Sequence, residues 1–149
     1  MSEYFFAYGT NISQDELNKH CPGAVLIGYG MLNNYMLEFR GYTGHAIAQI
    51  CKKKGEVLPV AIWELPPESR YTIENYEKFP YLYKRQKSKA VLRGQKVTGI
   101  IYINKQDLPV SEPDEKYLAV LRQAYKQADF DEYYIDSALQ RIKNNEDKL

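Results

Sequence analysis

The stretch YFFAYGTN, residues 4 to 11, decides how the rest of the chain is interpreted. Its apolar and aromatic run Tyr4–Tyr8 ends at a glycine, which is typical of a short buried strand. Gly9-Thr10-Asn11 is a sequence that favours a tight turn. Ser13 and Glu16 then form a Ser-x-x-Glu capping box, which starts a helix. The sequence therefore predicts a strand, a turn and a short helix in quick succession.

The middle of the chain is rich in strand patterns. We predict two strands joined by a turn within Ala24–Arg40, and further strands over Ala46–Lys52, Val57–Leu65, Leu82–Leu92 and Gln95–Ile103. Lys53–Glu56 and Arg93-Gly94 are the predicted turns between neighbouring strands of that set.

Helices are predicted mostly at the end of the chain. Pro66-Pro67 suits the opening of a helix over Glu68–Tyr76. Ser111 and Asp114 form a second capping box before a helix with apolar residues at helical spacing, and another helix is predicted over Asp131–Asn144. Because strands come early and helices late, the predicted class is α+β. We expect a small, mainly antiparallel curled sheet or barrel with helices packed outside and a C-terminal helical extension.

Composition sets limits on the class of protein. The 149 residues fit one domain, 1–149, and 20 Lys+Arg against 19 Asp+Glu leave a net charge of +1. That balance argues against a nucleic-acid binder. We predict no membrane span and no signal peptide, and hence a cytoplasmic protein. The 14 tyrosines are compatible with a monomer or a homodimer.

Common catalytic and metal motifs are missing from the sequence. His20, Cys21, His45 and Cys51 do not have the spacing of a zinc site, so no metal is predicted. Neither a phosphate-binding glycine motif nor a nucleophile elbow is present. A basic run exists, for which we favour a solvated strand face over an anion-binding surface: Lys84, Arg85, Lys87, Lys89, Arg93 and Lys96.

Two local features could carry chemistry. The Tyr8–Asn11 turn can present successive backbone N–H groups as an anion-binding concavity. Glu77 stands among Tyr76, Phe79 and Tyr81, and aromatic surroundings raise the pKa of a carboxyl group toward a range useful for acid–base chemistry. Taken singly, each feature is more often structural.

The ordered set of short motifs resembles the γ-glutamylcyclotransferase-like family. The motifs that carry the resemblance are Tyr4–Asn11, Cys21-Pro22-Gly23-Ala24, Gly44–Ala48, Val60–Trp63 and Ile73–Glu77 leading to Tyr83 and Arg85. They run in order through most of the chain, to about Ile103.

The resemblance implies a compact barrel with a cavity at its mouth and a cofactor-independent enzyme. It implies that Tyr8, Gly9, Thr10 and Asn11 hold a γ-glutamyl substrate and that Glu77 is the general acid/base of a reaction releasing 5-oxoproline. This chain departs from the family in having Lys78 where glycine is frequent, and a nearby ammonium group lowers a carboxylate pKa.

Two further residues and two alternative functions complete the sequence-based predictions. Tyr83 and Tyr125 are candidate walls of the substrate pocket, although core packing is the more frequent role for such tyrosines. The alternatives to an enzyme are a non-catalytic small-molecule binding module on the same scaffold and a basic-surface nucleic-acid interaction protein.

Overall fold

The computed structural model describes residues 3–69 and 83–147. In these residues, five strands close into a barrel in the order β1-β3-β2-β4-β5. The strands are β1 Glu3–Ala7, β2 Val25–Arg40, β3 Ile47–Leu65, β4 Tyr83–Leu92 and β5 Gln95–Asn104. The helices are α1 Gln14–Asn18, α2 Glu115–Gln127 and α3 Tyr133–Asp147.

The strand pairing confirms the predicted α+β class with a mainly antiparallel barrel. β1–β3, β2–β3, β2–β4 and β4–β5 pair antiparallel. β1 and β5 close the barrel as a parallel pair, with Phe5 opposite Ile100. The C-terminal helices are also as predicted, and they bury apolar side chains such as Leu121 and Ile142.

The prediction of four short strands within residues 24–65 was wrong. β2 and β3 form one long hairpin, in which Asn33 pairs with Val57 and Tyr35 with Lys52. Between these pairs a single residue, Asn34, opposes Lys53–Glu56. Asn34 and Gly55 both adopt positive φ, 66° and 89°, and the Gly55 N–H donates to Asn34 Oδ1 at 3.0 Å. The turn-favouring residues therefore produce a bulge, across which both strands continue.

The start of α2 also differs from its predicted capping box. Asp114 is the N-cap, and its side chain accepts a hydrogen bond from the Lys116 N–H at 2.6 Å. Ser111 is buried and donates through Oγ to the Gly41 carbonyl at 2.6 Å. Ser111 therefore ties the segment before α2 to the β2–β3 connection instead of starting the helix.

Two further helix predictions have different outcomes. The Ser13 cap of α1 is confirmed, since its side chain accepts from the Glu16 N–H. The helix predicted over Glu68–Tyr76 lies, from residue 70 onward, outside the described residues. No helix within the two described segments has the length and apolar character needed to cross a membrane.

Closure of the barrel requires a glycine on β5. Phe6 is fully buried in β1, and a methyl group at Gly99 would lie 2.5 Å from its ring atoms Cε1 and Cζ. Real Cβ atoms do not approach so closely, so the ring or the strand would have to move.

We expect Gly99→Ala to destabilise the protein by about 1–3 kcal/mol because it overpacks the β1–β5 contact. Urea unfolding measures the change. Adding Phe6→Leu to the Gly99→Ala protein should recover part of the loss. A Gly99→Ala protein as stable as wild type would contradict this account of barrel closure.

Candidate functional site

A cavity of about 110 Å³ lies where β1 runs into the following turn. This volume is small beside the roughly 300–1,000 Å³ of sites for drug-sized molecules, and suits an amino-acid-sized group. Its described lining combines β1 and its turn with residues of β3, β4, β5 and α2: Phe5, Phe6, Ala7, Tyr8, Gly9, Thr10, Asn11, Ile47, Ala48, Tyr83, Tyr102 and Tyr117.

Two buried hydrogen bonds fix the turn that forms one wall. Tyr8 donates through Oη to the Tyr102 carbonyl on β5 at 2.6 Å. Trp63, on β3, donates from Nε1 to the Asn11 carbonyl at 3.0 Å. The turn is thus attached to two strands on either side of β1, so its backbone has one orientation relative to the barrel.

The turn contains backbone N–H groups that have no backbone acceptor among the described residues. Its own hydrogen bonds run from the Ile12 and Ser13 N–H groups to the Gly9 and Thr10 carbonyls, at 3.0 Å each. Among the described residues, no backbone carbonyl accepts from the N–H groups of Gly9, Thr10 or Asn11. This arrangement can hold a carboxylate or a developing oxyanion.

Asn11 adds an unpaired side-chain atom to the same wall. It is only 7% exposed, and its Oδ1 has no hydrogen-bond partner in the described part of the chain. A buried polar atom without a partner is costly, so a bound group that donates a hydrogen bond here would be favoured.

Tyrosines supply much of the opposite side of the cavity. Tyr117 reaches it from α2 and accepts a hydrogen bond at Oη from the Ala48 N–H at 2.9 Å. Tyr83 begins β4 and accepts at Oη from Gln49 Nε2 at 3.3 Å. Each phenol is therefore anchored to β3, which places its ring and hydroxyl at fixed points of the wall.

The structure brings most of the predicted substrate-binding residues together. Tyr8, Gly9, Thr10, Asn11 and Tyr83 all line the cavity. Glu77 lies outside the described residues, so its role stays a prediction.

Tyr125 lies elsewhere, and Tyr117 was not predicted. Tyr125 is fully buried on α2 and is not among the described residues that line the cavity. Tyr117, two helical turns earlier, does line it. The sequence placed both residues on the apolar face of this helix, but only the docking of the helix on the barrel decides which one reaches the cavity.

The other chemistry-bearing residues do not gather at this site. In residues 3–69 and 83–147, no three His, Cys, Asp or Glu side chains converge as metal ligands. The basic residues predicted to form a solvated strand face, Lys84 to Lys96, are exposed on β4, the turn after it and the start of β5.

Comparisons with known proteins relate this fold to solved structures and to a protein family. A solved structure named "Gamma-glutamyl cyclotransferase" has a TM-score of 0.82 and 18% identity, covering 93% of this chain and 86% of its own. An uncharacterized human protein, loc79017, also has a TM-score of 0.82, with 19% identity and coverages of 92% and 86%. At such identities the likeness shows a shared fold.

A third solved structure with a similar fold comes from yeast. The yeast γ-glutamyl cyclotransferase specific to glutathione has a TM-score of 0.68 at 12% identity, with 96% of each chain covered. None of the curated proteins matches this chain. The family model described as "Gamma-glutamyl cyclotransferase, AIG2-like" matches residues 5–127. The chain therefore belongs to the γ-glutamyl cyclotransferase, AIG2-like family.

Tyr125 offers a test of how its helix packs. Its hydroxyl has no hydrogen-bond partner in the described residues, and burial, with smaller contributions from Tyr134 and Tyr117, raises its pKa well above the ordinary tyrosine value. Because the unfolded chain loses this proton near pH 10 and the folded chain keeps it, Tyr125 reduces stability as pH rises above about 10.

We expect Tyr125→Phe to be as stable as wild type at neutral pH or more stable by about 1 kcal/mol, because it removes an unpaired buried hydroxyl. Its stability should also fall less between pH 9 and 11. Chemical unfolding at a series of pH values measures both effects. A loss of stability at pH 7 would indicate that the hydroxyl has a partner.

Proposed function

We propose that this protein is a cofactor-independent γ-glutamyl cyclotransferase-type enzyme that converts a γ-glutamyl compound into 5-oxoproline and a free amine. The observation that carries the proposal is the cavity at the Tyr8–Asn11 turn, which combines amino-acid size with backbone donors lacking backbone acceptors. Membership of the family, over residues 5–127, supports the same reaction class.

The reaction needs little from the enzyme beyond orientation and proton transfer. The α-amine nitrogen of the γ-glutamyl group attacks its own γ-carbonyl carbon, forming the C–N bond of a five-membered lactam. The bond from that carbon to the leaving nitrogen breaks, and the leaving amine takes a proton. Holding the two ends of one substrate in a reactive arrangement contributes roughly 7–11 kcal/mol in well-oriented intramolecular reactions.

The turn would hold the substrate in this arrangement. The N–H groups of Gly9, Thr10 and Asn11 suit the α-carboxylate of the γ-glutamyl group or the oxyanion that develops at the γ-carbonyl. The Asn11 amide, buried and with an unpaired Oδ1, suits the α-amine, which has hydrogens to donate.

Proton transfer is the role proposed for Glu77. Its carboxylate would accept a proton from the attacking amine and return one to the departing nitrogen. Tyr83, which lines the cavity, follows Glu77 by six residues in the sequence. The family resemblance of the Ile73–Glu77 motif is the further support for this assignment.

We expect Glu77→Gln to lower kcat for 5-oxoproline release by about 10²–10⁴-fold, because the amide cannot accept the proton. The assay panel contains γ-glutamyl amino acids, γ-glutamyl amines and glutathione, since one yeast relative of this fold is named as specific to glutathione. Glu68→Gln, an exposed carboxylate in the same part of the chain, is the control and should retain activity.

Two outcomes would count against the proposal. Full activity in a normally folded Glu77→Gln protein would remove Glu77 from the mechanism. Absence of 5-oxoproline from the whole panel, together with a ligand-induced thermal shift, would favour a binding module on this scaffold.

Gly9→Ala tests the cavity separately from the proton transfer. The added methyl would lie 3.6 Å from Ala48 Cβ and 3.8 Å from Tyr117 Oη, which is ordinary contact, so the fold has room for it. Both neighbours line the cavity, and the methyl would occupy space that the substrate needs.

For Gly9→Ala we expect kcat/KM to fall by about tenfold or more, the scale of one misplaced methyl group in a binding pocket. The unfolding free energy should change by less than about 1 kcal/mol. Unchanged kcat/KM would show that the substrate does not bind against this turn. A large loss of stability would mean that a lower kcat/KM reflects a folding defect instead of a blocked cavity.

A further inference from the structure

A second cavity, of about 190 Å³, is lined in part by Gln49, whose side chain donates a hydrogen bond to Tyr83 of the candidate active site. It is bounded by β2 and β3 near their connection and by the segment that follows β5. Its described lining is strongly polar: Glu38, Arg40, Gln49, Ile50, Asn104, Gln106, Asp107 and Leu108.

Gln49 lines this cavity, and its side chain carries a buried acceptor without a partner among the described residues. The residue is 3% exposed, its Nε2 is committed to Tyr83 Oη at 3.3 Å, and its Oε1 has no partner among the described residues. Buried side-chain oxygens are rarely left unpaired in folded proteins. A ligand that brings N–H or O–H hydrogens into the cavity would satisfy it.

The arginine of the cavity is already committed to its neighbours. Arg40 donates from Nε to Glu38 Oε1 at 2.6 Å and from Nη2 to Glu38 Oε2 at 3.4 Å, and from Nη1 to the Leu108 carbonyl at 2.6 Å. The hydrogen bond to Glu38 raises the pKa of Arg40, so the guanidinium stays charged. This charge is therefore balanced by Glu38 and is not free to recruit an anion.

Asp107 makes the lining negative overall. With Glu38 and Arg40 balanced, the exposed Asp107 carboxylate leaves an excess of one negative charge among the lining residues. Asn104 has its own Oδ1 occupied by the Gln106 N–H at 2.7 Å, which holds the loop in place beside the cavity. A ligand with positive charge and several donors matches this environment, and an anion does not.

We propose that this second cavity binds a primary ammonium group, with Gln49 Oε1 as a hydrogen-bond acceptor and Asp107 as its charge partner. An ammonium group carries three N–H donors and no acceptor, which complements an acceptor-rich wall. The cavity volume accommodates the ammonium with a short carbon chain.

The position of Gln49 connects this site to the first cavity. The same amide that accepts from the ligand donates to Tyr83, and Tyr83 lines the candidate active site. An ammonium group held by Oε1 fixes the amide and so the Tyr83 hydroxyl. Resonances of Tyr83 therefore report binding in the second cavity.

The test is a titration of the full chain with n-propylammonium, followed by two-dimensional NMR of the Gln49 side-chain amide and of Tyr83. Two comparators separate charge from hydrogen bonding: tetramethylammonium has the charge without N–H donors, and n-propanol has a donor without the charge. We expect saturable shifts with n-propylammonium and at least about tenfold weaker binding of both comparators, since hydrogen bonds to charged groups are worth this much.

Variants locate the binding site. Gln49→Met and Asp107→Asn should each weaken n-propylammonium binding by about tenfold or more. Asp129→Asn, the same change at an exposed acid outside both cavities, should bind like wild type. Asp107 is exposed, so its variant folds even where Gln49→Met does not.

Several results would overturn the proposal. Binding of n-propanol or tetramethylammonium as tight as that of n-propylammonium would refute recognition of an ammonium group. Binding unchanged in Asp107→Asn would place the ligand elsewhere, and the absence of saturable shifts would mean that the cavity holds only water. Because the readout is binding, these outcomes are independent of whether Glu77 catalyses cyclotransfer.

Discussion

Pairing of β1 on both of its edges is the constraint on which the rest of the structure depends. β3 holds one edge antiparallel from Glu3 to Ala7, and β5 holds the other in parallel at Phe5. The chain therefore leaves β1 at a fixed point of the barrel end. Trp63 and Tyr102 then bind the turn from these two neighbouring strands, so the donors at residues 9 to 11 are positioned by the sheet itself.

The local parts of the fold could be predicted from the sequence, whereas the extent of the strands could not. Strand β1, the Ser13 cap and the β4–β5 hairpin depend on residues close together in the chain, and their patterns were sufficient. Asn33-Asn34 and Lys53–Glu56 are equally easy to recognise in the sequence as turn-favouring residues. They form a bulge instead of two turns because they lie opposite each other across β2 and β3, and no local sequence pattern contains that information.

The candidate site likewise contains residues that could be predicted from the sequence and residues that could not. Tyr8 to Asn11 are contiguous and follow a recognisable strand, so the sequence identified them together. Tyr117 lines the cavity from α2, and Gln49 on β3 is linked to it through the hydrogen bond to Tyr83. Tyr117 and Tyr125 have the same helical pattern, and the docking of α2 on the barrel separates a cavity wall from a core residue.

The bulge in the long hairpin makes the chain tolerant of length changes at one place. Lys53–Glu56 are all exposed, oppose only Asn34, and have left-handed backbone at Gly55. Loop closure costs little for a few added residues at such a point, and inserted residues extend into solvent without shifting the register on either side. A short peptide tag or a fluorescent label carried on an inserted residue can therefore be introduced there, away from the described lining of the candidate active site and of the second cavity.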